Sequence, residues 1–259
     1  MGAVMKPRSR GATRHISPVD RPICPAQHNG EVPAPGRIPR VVPLLIALSI
    51  AVAALCYSSW VLEFVLPIDS DPVDTFLSEL DAEGKPYRAV FATADKLVGV
   101  LLIPAALGGL LVFPRRALTT VGWVALLCFG AATIADAMLP LRDCDPAREE
   151  CPGRGALFPQ LYQPHALTST LAVTSIAVAA FAFSVAAYRY HHWRILREFG
   201  VAVLVLGSAA TVWMLVADNL SGSYALGIAQ RIQVGSMSVW LLALAAAVAL
   251  ETREWTTRP

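Results

Sequence analysis

Six titratable side chains stand near the same end of six apolar stretches: Glu63, Asp95, Asp136, His165, Asp218 and Arg231. Lys96 adjoins Asp95, and Gln230 adjoins Arg231. A helix rises 1.5 Å per residue, so each group has a height above the far end of its stretch. That height is roughly 27 Å for Asp95, 28 Å for Asp136 and Arg231, 30 Å for Asp218, 33 Å for Glu63 and 35 Å for His165. A bilayer's hydrocarbon layer is about 30 Å thick, so all six fall in one stratum near its edge. An ionised group at membrane depth costs at least about 2.5 kcal/mol unless it is paired or hydrated. That cost turns such groups toward one another, around a polar cavity. A plain interfacial position is the competing reading, and it suits Glu63, Asp218 and Arg231, whose neighbours look like loop.

A cavity with these walls has two uses. In catalysis, His165 would serve as general base, with Asp136 or Asp95 to orient it or to hold a metal beside it. In binding, Lys96 and Arg231 would contact a phosphate, while Asp95, Asp136 and Asp218 would hold a cationic or hydroxylated group. Glu63 and Gln230 would complete that binding set, with Gln233 beside Gln230 at the entrance. Four carboxylates against Lys96 and Arg231 leave two negative charges if His165 is neutral. Protonated acids, Arg88 or Arg142 turning inward, or a bound cation would each balance them. Thr168 and Ser169, one turn deeper than His165, continue a polar stripe on its helix. The identity of any metal or cofactor stays open.

The elements that carry these groups dominate the chain. Of 259 residues, 55% are apolar and 15% charged, with mean hydropathy +0.53. A soluble domain carries about 25% charge, so an ordinary cytosolic enzyme is excluded. A net charge of +2 makes no case for nucleic-acid binding. Stretches near 41–66, 88–113, 117–140, 164–188, 198–219 and 228–250 each hold the roughly 20 residues that a membrane span needs. The expected fold is all-α, a six-helix membrane bundle over 41–250. A tail over 1–40 precedes it and a short tail over 251–259 follows. Eight of the 19 prolines fall between Pro7 and Pro43, among scattered basic residues and without apolar period, so the first tail reads as disordered.

Charge sorting sets the expected orientation. With the N-terminus in the cytoplasm, fourteen of the 21 Lys and Arg fall on the inner side and fourteen of the 19 acids on the outer side. An even number of spans then returns the C-terminus to the cytoplasm. The lipid bilayer, as a bacterial inner membrane, is the expected surrounding. Cys144 and Cys151 share the loop over 141–163, which this topology places outside, where disulfides persist. They are expected to pair. A zinc site is the alternative, but the loop offers no further Cys or His.

The loop after the first span predicts a short lid helix. Asp71 suits an N-cap, Pro72 the first helical position and Gly84 the stop. Val73, Phe76, Leu77 and Leu80 form one apolar stripe, with Asp74, Ser78, Glu79 and Asp81 opposite. Such a helix would lie over the outer ends of the spans. A solvated connector is the alternative.

Several of these motifs resemble those of a known family. Asp74-Thr75-Phe76-Leu77-Ser78-Glu79-Leu80 with Gly84-Lys85-Pro86 is similar to the outer-loop signature of a bacterial membrane family, domain of unknown function 998. Asp136 with Pro140, the Asp143-Cys144-Asp145 and Cys151 loop, and His165 at a span's start belong to the same likeness. The resemblance covers about 41–250 and implies six spans without implying an activity. A more distant likeness is to multi-pass lipid hydrolases of the alkaline ceramidase type, which hold zinc with three histidines. Only His165 is eligible here, so zinc would need carboxylate ligands. The leading expectation is therefore a multi-pass protein whose lidded polar pocket, near the outer leaflet, binds an envelope lipid head group or a small cation. A membrane-embedded lipid hydrolase or transferase is the first alternative and an ion-coupled transporter the second.

Overall fold

The computed structural model describes residues 39–141, 164–218, 220 and 224–257, with only the backbone at Asp218 and over 253–257. Among the described residues six α-helices carry the chain back and forth: α1 (Val41–Tyr57), α2 (Arg88–Val112), α3 (Ala117–Met138), α4 (Pro164–Tyr190), α5 (Val201–Asp218) and α6 (Leu226–Thr257). No strand occurs among the described residues. The expected Cys144–Cys151 pairing and Arg142 lie outside the described residues, as does the tail over 1–38.

Each span forms because a run of apolar residues satisfies its own backbone in helical hydrogen bonds. Two spans depart from regular α geometry. After Tyr57 the first tightens into a 3-10 helix, Ser59–Phe64, and just before it the Ser58 hydroxyl donates to the Ala54 carbonyl at 3.0 Å. The fifth opens with a π-helical turn, Leu196–Gly200, two residues before the boundary expected at 198.

α1, α2, α3 and α4 pack in sequence, α6 packs on α1, and α5 rests on α6. Ile50, Leu102, Leu126, Phe129, Phe183 and Leu241 form a core closed to solvent. α4 and α6 do not make the close backbone approach of the other neighbours. They meet through long side chains, Phe183 and Trp240, whose ring centres are 6.1 Å apart. A gap is left between them, and the cavity described below is walled by both together with α1, α2, α3 and the segment after α1.

The outside is as apolar as the inside. Leu48, Leu111, Leu171, Phe181, Val205 and Val212 all point outward and are exposed. Glu63, His165, Arg231 and Gln233 are buried instead. Water would not tolerate that inversion. Among the described residues six helices have the length and apolar character to cross a bilayer.

Candidate functional site

The lid is assembled from short pieces. Asp71 accepts the Val73 amide on its carboxylate at 2.9 Å and the Thr75 amide on its carbonyl at 2.9 Å, which closes a turn. A 3-10 helix, Leu77–Asp81, follows, with the Glu79 carboxylate accepting the Phe76 amide. The lid helix is thus shorter and tighter than the α-helix expected from Asp71 to Gly84. Four hydrogen bonds tie it to the start of α6. The Ile228 amide donates to the Val73 carbonyl (3.2 Å) and the Ala225 amide to the Asp74 carboxylate (3.1 Å). The Leu77 amide donates to Gln230 Oε1 (2.6 Å) and Arg231 Nη1 to the Thr75 carbonyl (2.9 Å). Gly227 permits this approach, since a Cβ there would stand 2.5 Å from the Thr75 carbonyl oxygen.

Arg231 has a second anchor. Its Nε donates to Glu63 Oε1 at 2.6 Å and its Nη2 to Glu63 Oε2, a bidentate pair with side chains 8% and 1% exposed. A buried charge must be paired, and here the partners come from the first and last spans. The guanidinium expected on a ligand phosphate is therefore committed to Glu63 and to the lid.

Beneath the lid lies a cavity of about 110 Å³, room for several waters or a small head group. Asp81, Asp95, Asp136, His165, Ser169 and Gln230 are on its wall. Thr168 and Ser169 both donate to Asp136 Oδ1, Ser169 at 2.8 Å. His165 Nδ1 lies 3.2 Å from that same oxygen and 3.2 Å from the Leu139 carbonyl. Both neighbours are acceptors, so the neutral ring carries its proton on Nδ1. Nε2 then turns a lone pair toward Ser169 Oγ, 3.4 Å away. The Nδ1–H also serves the end of α3, where the Leu139 carbonyl has no helical donor.

Asp81 is the unexpected member. It is 7% exposed, and its Oδ1 has no hydrogen-bond partner among the described residues. Burial pushes its carboxyl above the usual carboxylate range, against the pull of His165. Asp136 adds to the rise, while Arg88 and Lys96 oppose it. Trp60 Nε1, on the same wall, is a buried donor that likewise lacks a partner among the described residues.

Asp95, Asp136, His165 and Gln230 thus share one cavity wall. Glu63 and Arg231 do not reach it and bind each other. Lys96 departs from expectation: it is exposed and off the wall. Adjacent helical residues point about 100° apart, so with Asp95 turned inward Lys96 is carried outward. Asp218 is the last residue of α5. By α periodicity Asp81 belongs on the face of the lid opposite its apolar stripe. In the 3-10 helix Leu77, Ser78, Leu80 and Asp81 all line the cavity, so the apolar stripe and its polar neighbours meet it together. Ser169 was visible only as part of a polar stripe.

Among the described residues no three His, Cys, Asp or Glu side chains are arranged to hold a metal ion. The arrangement offers separated carboxylates for a hydrogen-bonding cation, and an imidazole lone pair beside a hydroxyl. Six apolar helices around a buried polar cleft define a multi-pass α-helical membrane protein. Over residues 50–247 the chain matches the family described as protein of unknown function (DUF998), and it belongs to that family. No curated protein and no solved structure matches it.

Proposed function

We propose that this protein binds an amine-bearing group, on an envelope lipid or as a small organic cation, in the cavity beneath its lid. The charge sorting supports a reading with both termini in the cytoplasm and the cavity toward the outer leaflet of a bacterial inner membrane. One observation carries the reading. Asp81 lines a cavity shared with Asp95 and Asp136 and has a buried carboxyl oxygen, Oδ1, without a hydrogen-bond partner among the described residues, while the buried cation Arg231 is already bound to Glu63. An ammonium donates in several directions and suits acids spread around a wall. Asp136 and Gln230 would orient it.

Calorimetric titration of the purified protein in micelles with ethanolamine tests this. Wild type should bind, and Asp81→Asn should weaken binding about tenfold, the worth of one hydrogen bond to a charged group. Equal affinity in the two proteins would refute the assignment.

The hydrolase reading has its own support in the contacts among Asp136, His165 and Ser169. Ser169 Oγ, released from Asp136, would attack an ester carbonyl as its proton passes to His165 Nε2. The leaving alcohol takes that proton, and a water activated by the same nitrogen then frees the acid and restores the serine. Asp136 would hold the ring. If this holds, p-nitrophenyl butyrate turns over, and Ser169→Ala or His165→Ala abolishes turnover in a folded protein. Among the described residues no observation favours a transporter.

A further inference from the structure

A second hollow, of about 50 Å³, lies beside the first. Val173 and Ala177 of α4, Leu204 and Ser208 of α5, and Ser236 and Met237 of α6 are among its walls. Val173 also lines the cavity under the lid, so the two hollows adjoin. Their character changes along the cleft. Carboxylates, His165 and Gln230 stand at the lid end. Gln233 follows, its amide donating to Thr211 at 2.7 Å. Beyond that point the walls are almost wholly apolar.

The second hollow opens sideways. Only 11% of the most apolar part of the fifth span is buried, against 50% of the fourth and 56% of the last. α5 leans on α6 and meets α4 thinly, and Ala177 and Ser208 on the two rims are exposed. In a multi-pass protein that opening faces acyl chains. The lid end, by contrast, is fastened to α6 by the four bonds described above.

We infer that the cavity and the groove form one site for an amphiphile: a membrane lipid whose amine-bearing head meets Asp81, Asp95 and Asp136, and whose tail lies between α4, α5 and α6. The inference rests on the head-group reading proposed above and extends it to the tail. Charge complementarity selects the head, since the wall presents three acids, and the adjoining groove supplies an apolar seat that a small hydrophilic cation would not use. Entry from the side leaves the lid in place.

Three probes test it on the full chain in micelles: ethanolamine, lysophosphatidylethanolamine and lysophosphatidylglycerol. The tail should make lysophosphatidylethanolamine bind at least about tenfold tighter than ethanolamine, because each buried methylene contributes about 0.8 kcal/mol. Ala177→Phe and Ser208→Phe, at exposed positions on two different helices, plug the groove. Either should erase that advantage and leave ethanolamine binding unchanged. Lysophosphatidylglycerol, without the amine, should bind at least about tenfold more weakly than its amine counterpart. If ethanolamine binds but both plugs leave the advantage intact, the tail seat is wrong and the head site stands. Equal binding of the two lysolipids would overturn the amphiphile assignment. If none of the three probes binds, both readings fall together.

Discussion

Arg231 and Asp81 are both buried and charged by type, yet their surroundings give them opposite roles. Arg231 is satisfied on three sides by Glu63 and the Thr75 carbonyl, so it is a tie between the ends of the chain. Removing one partner leaves the other as an uncompensated buried charge. Glu63→Gln or Arg231→Met should therefore lower stability by about 3–5 kcal/mol, whereas the double change Glu63→Leu with Arg231→Met should recover most of it. Thermal unfolding in detergent reads the difference. Asp81 is under-satisfied, and its carboxyl is held above the usual range, chiefly by burial. A raised carboxyl binds its proton more tightly in the folded state than in the unfolded one. Its contribution to stability is therefore full below the ordinary carboxylate value and is lost as pH climbs through the raised one. Relative to Asp81→Asn, the wild-type melting temperature should fall as pH rises over that window. Ethanolamine binding should strengthen over the same window as Asp81 gains its charge beside Asp95 and Asp136. A flat difference in both measurements would show that Asp81 does not titrate there.

Among the elements, the lid carries the site. A run with an N-cap, an early proline and an apolar stripe is compatible with an α-helix. What overrides it is docking: α6 offers Gln230 and Arg231 to backbone groups of the lid that an α-helix would have consumed. Gly227→Val would drive a side chain into the Thr75 and Pro72 carbonyls, at 2.5 and 2.6 Å from its Cβ. That change should cost about 1–3 kcal/mol, as overpacking does, and raise hydrogen exchange over 71–84 while the six spans stay protected. Gly99 makes the corresponding contact between α2 and α3, its Cβ position 2.3 Å from the Gly130 carbonyl oxygen. Gly99→Val should destabilise by a similar amount but loosen those two helices rather than the lid.

At the scale of the whole molecule, Asp81, Asp95, Asp136, His165 and Gln230 gather at the lid end of one cleft, while a separate polar contact, His192 Nδ1 with Glu251 at 3.2 Å, lies outside it. The cleft exists because α4 and α6 stay apart and α5 covers their gap from outside. Topology is open to direct measurement. Reporter fusions at both termini should be active only on the cytoplasmic side, and single cysteines placed over 71–84 should react with an impermeant reagent added from outside. Labelling of the termini instead would invert the protein and place its cavity on the inner leaflet.

The all-α class and the six apolar helices were legible in the chain itself. Hydrophobic length and helical rise are one-dimensional properties, and the cost of a charge in hydrocarbon applies wherever that charge falls. Azimuth was not legible. Whether Asp95 or Lys96 turns inward, and whether Arg231 meets a ligand or Glu63, depends on which neighbour each helix presents. That is settled only when all six pack. The register of the lid was hidden for the same reason, since its 3-10 geometry is imposed by bonds to residues about 150 positions away. So was the adjacency of Ser169, His165 and Asp136, which spans two helices and follows from their packing.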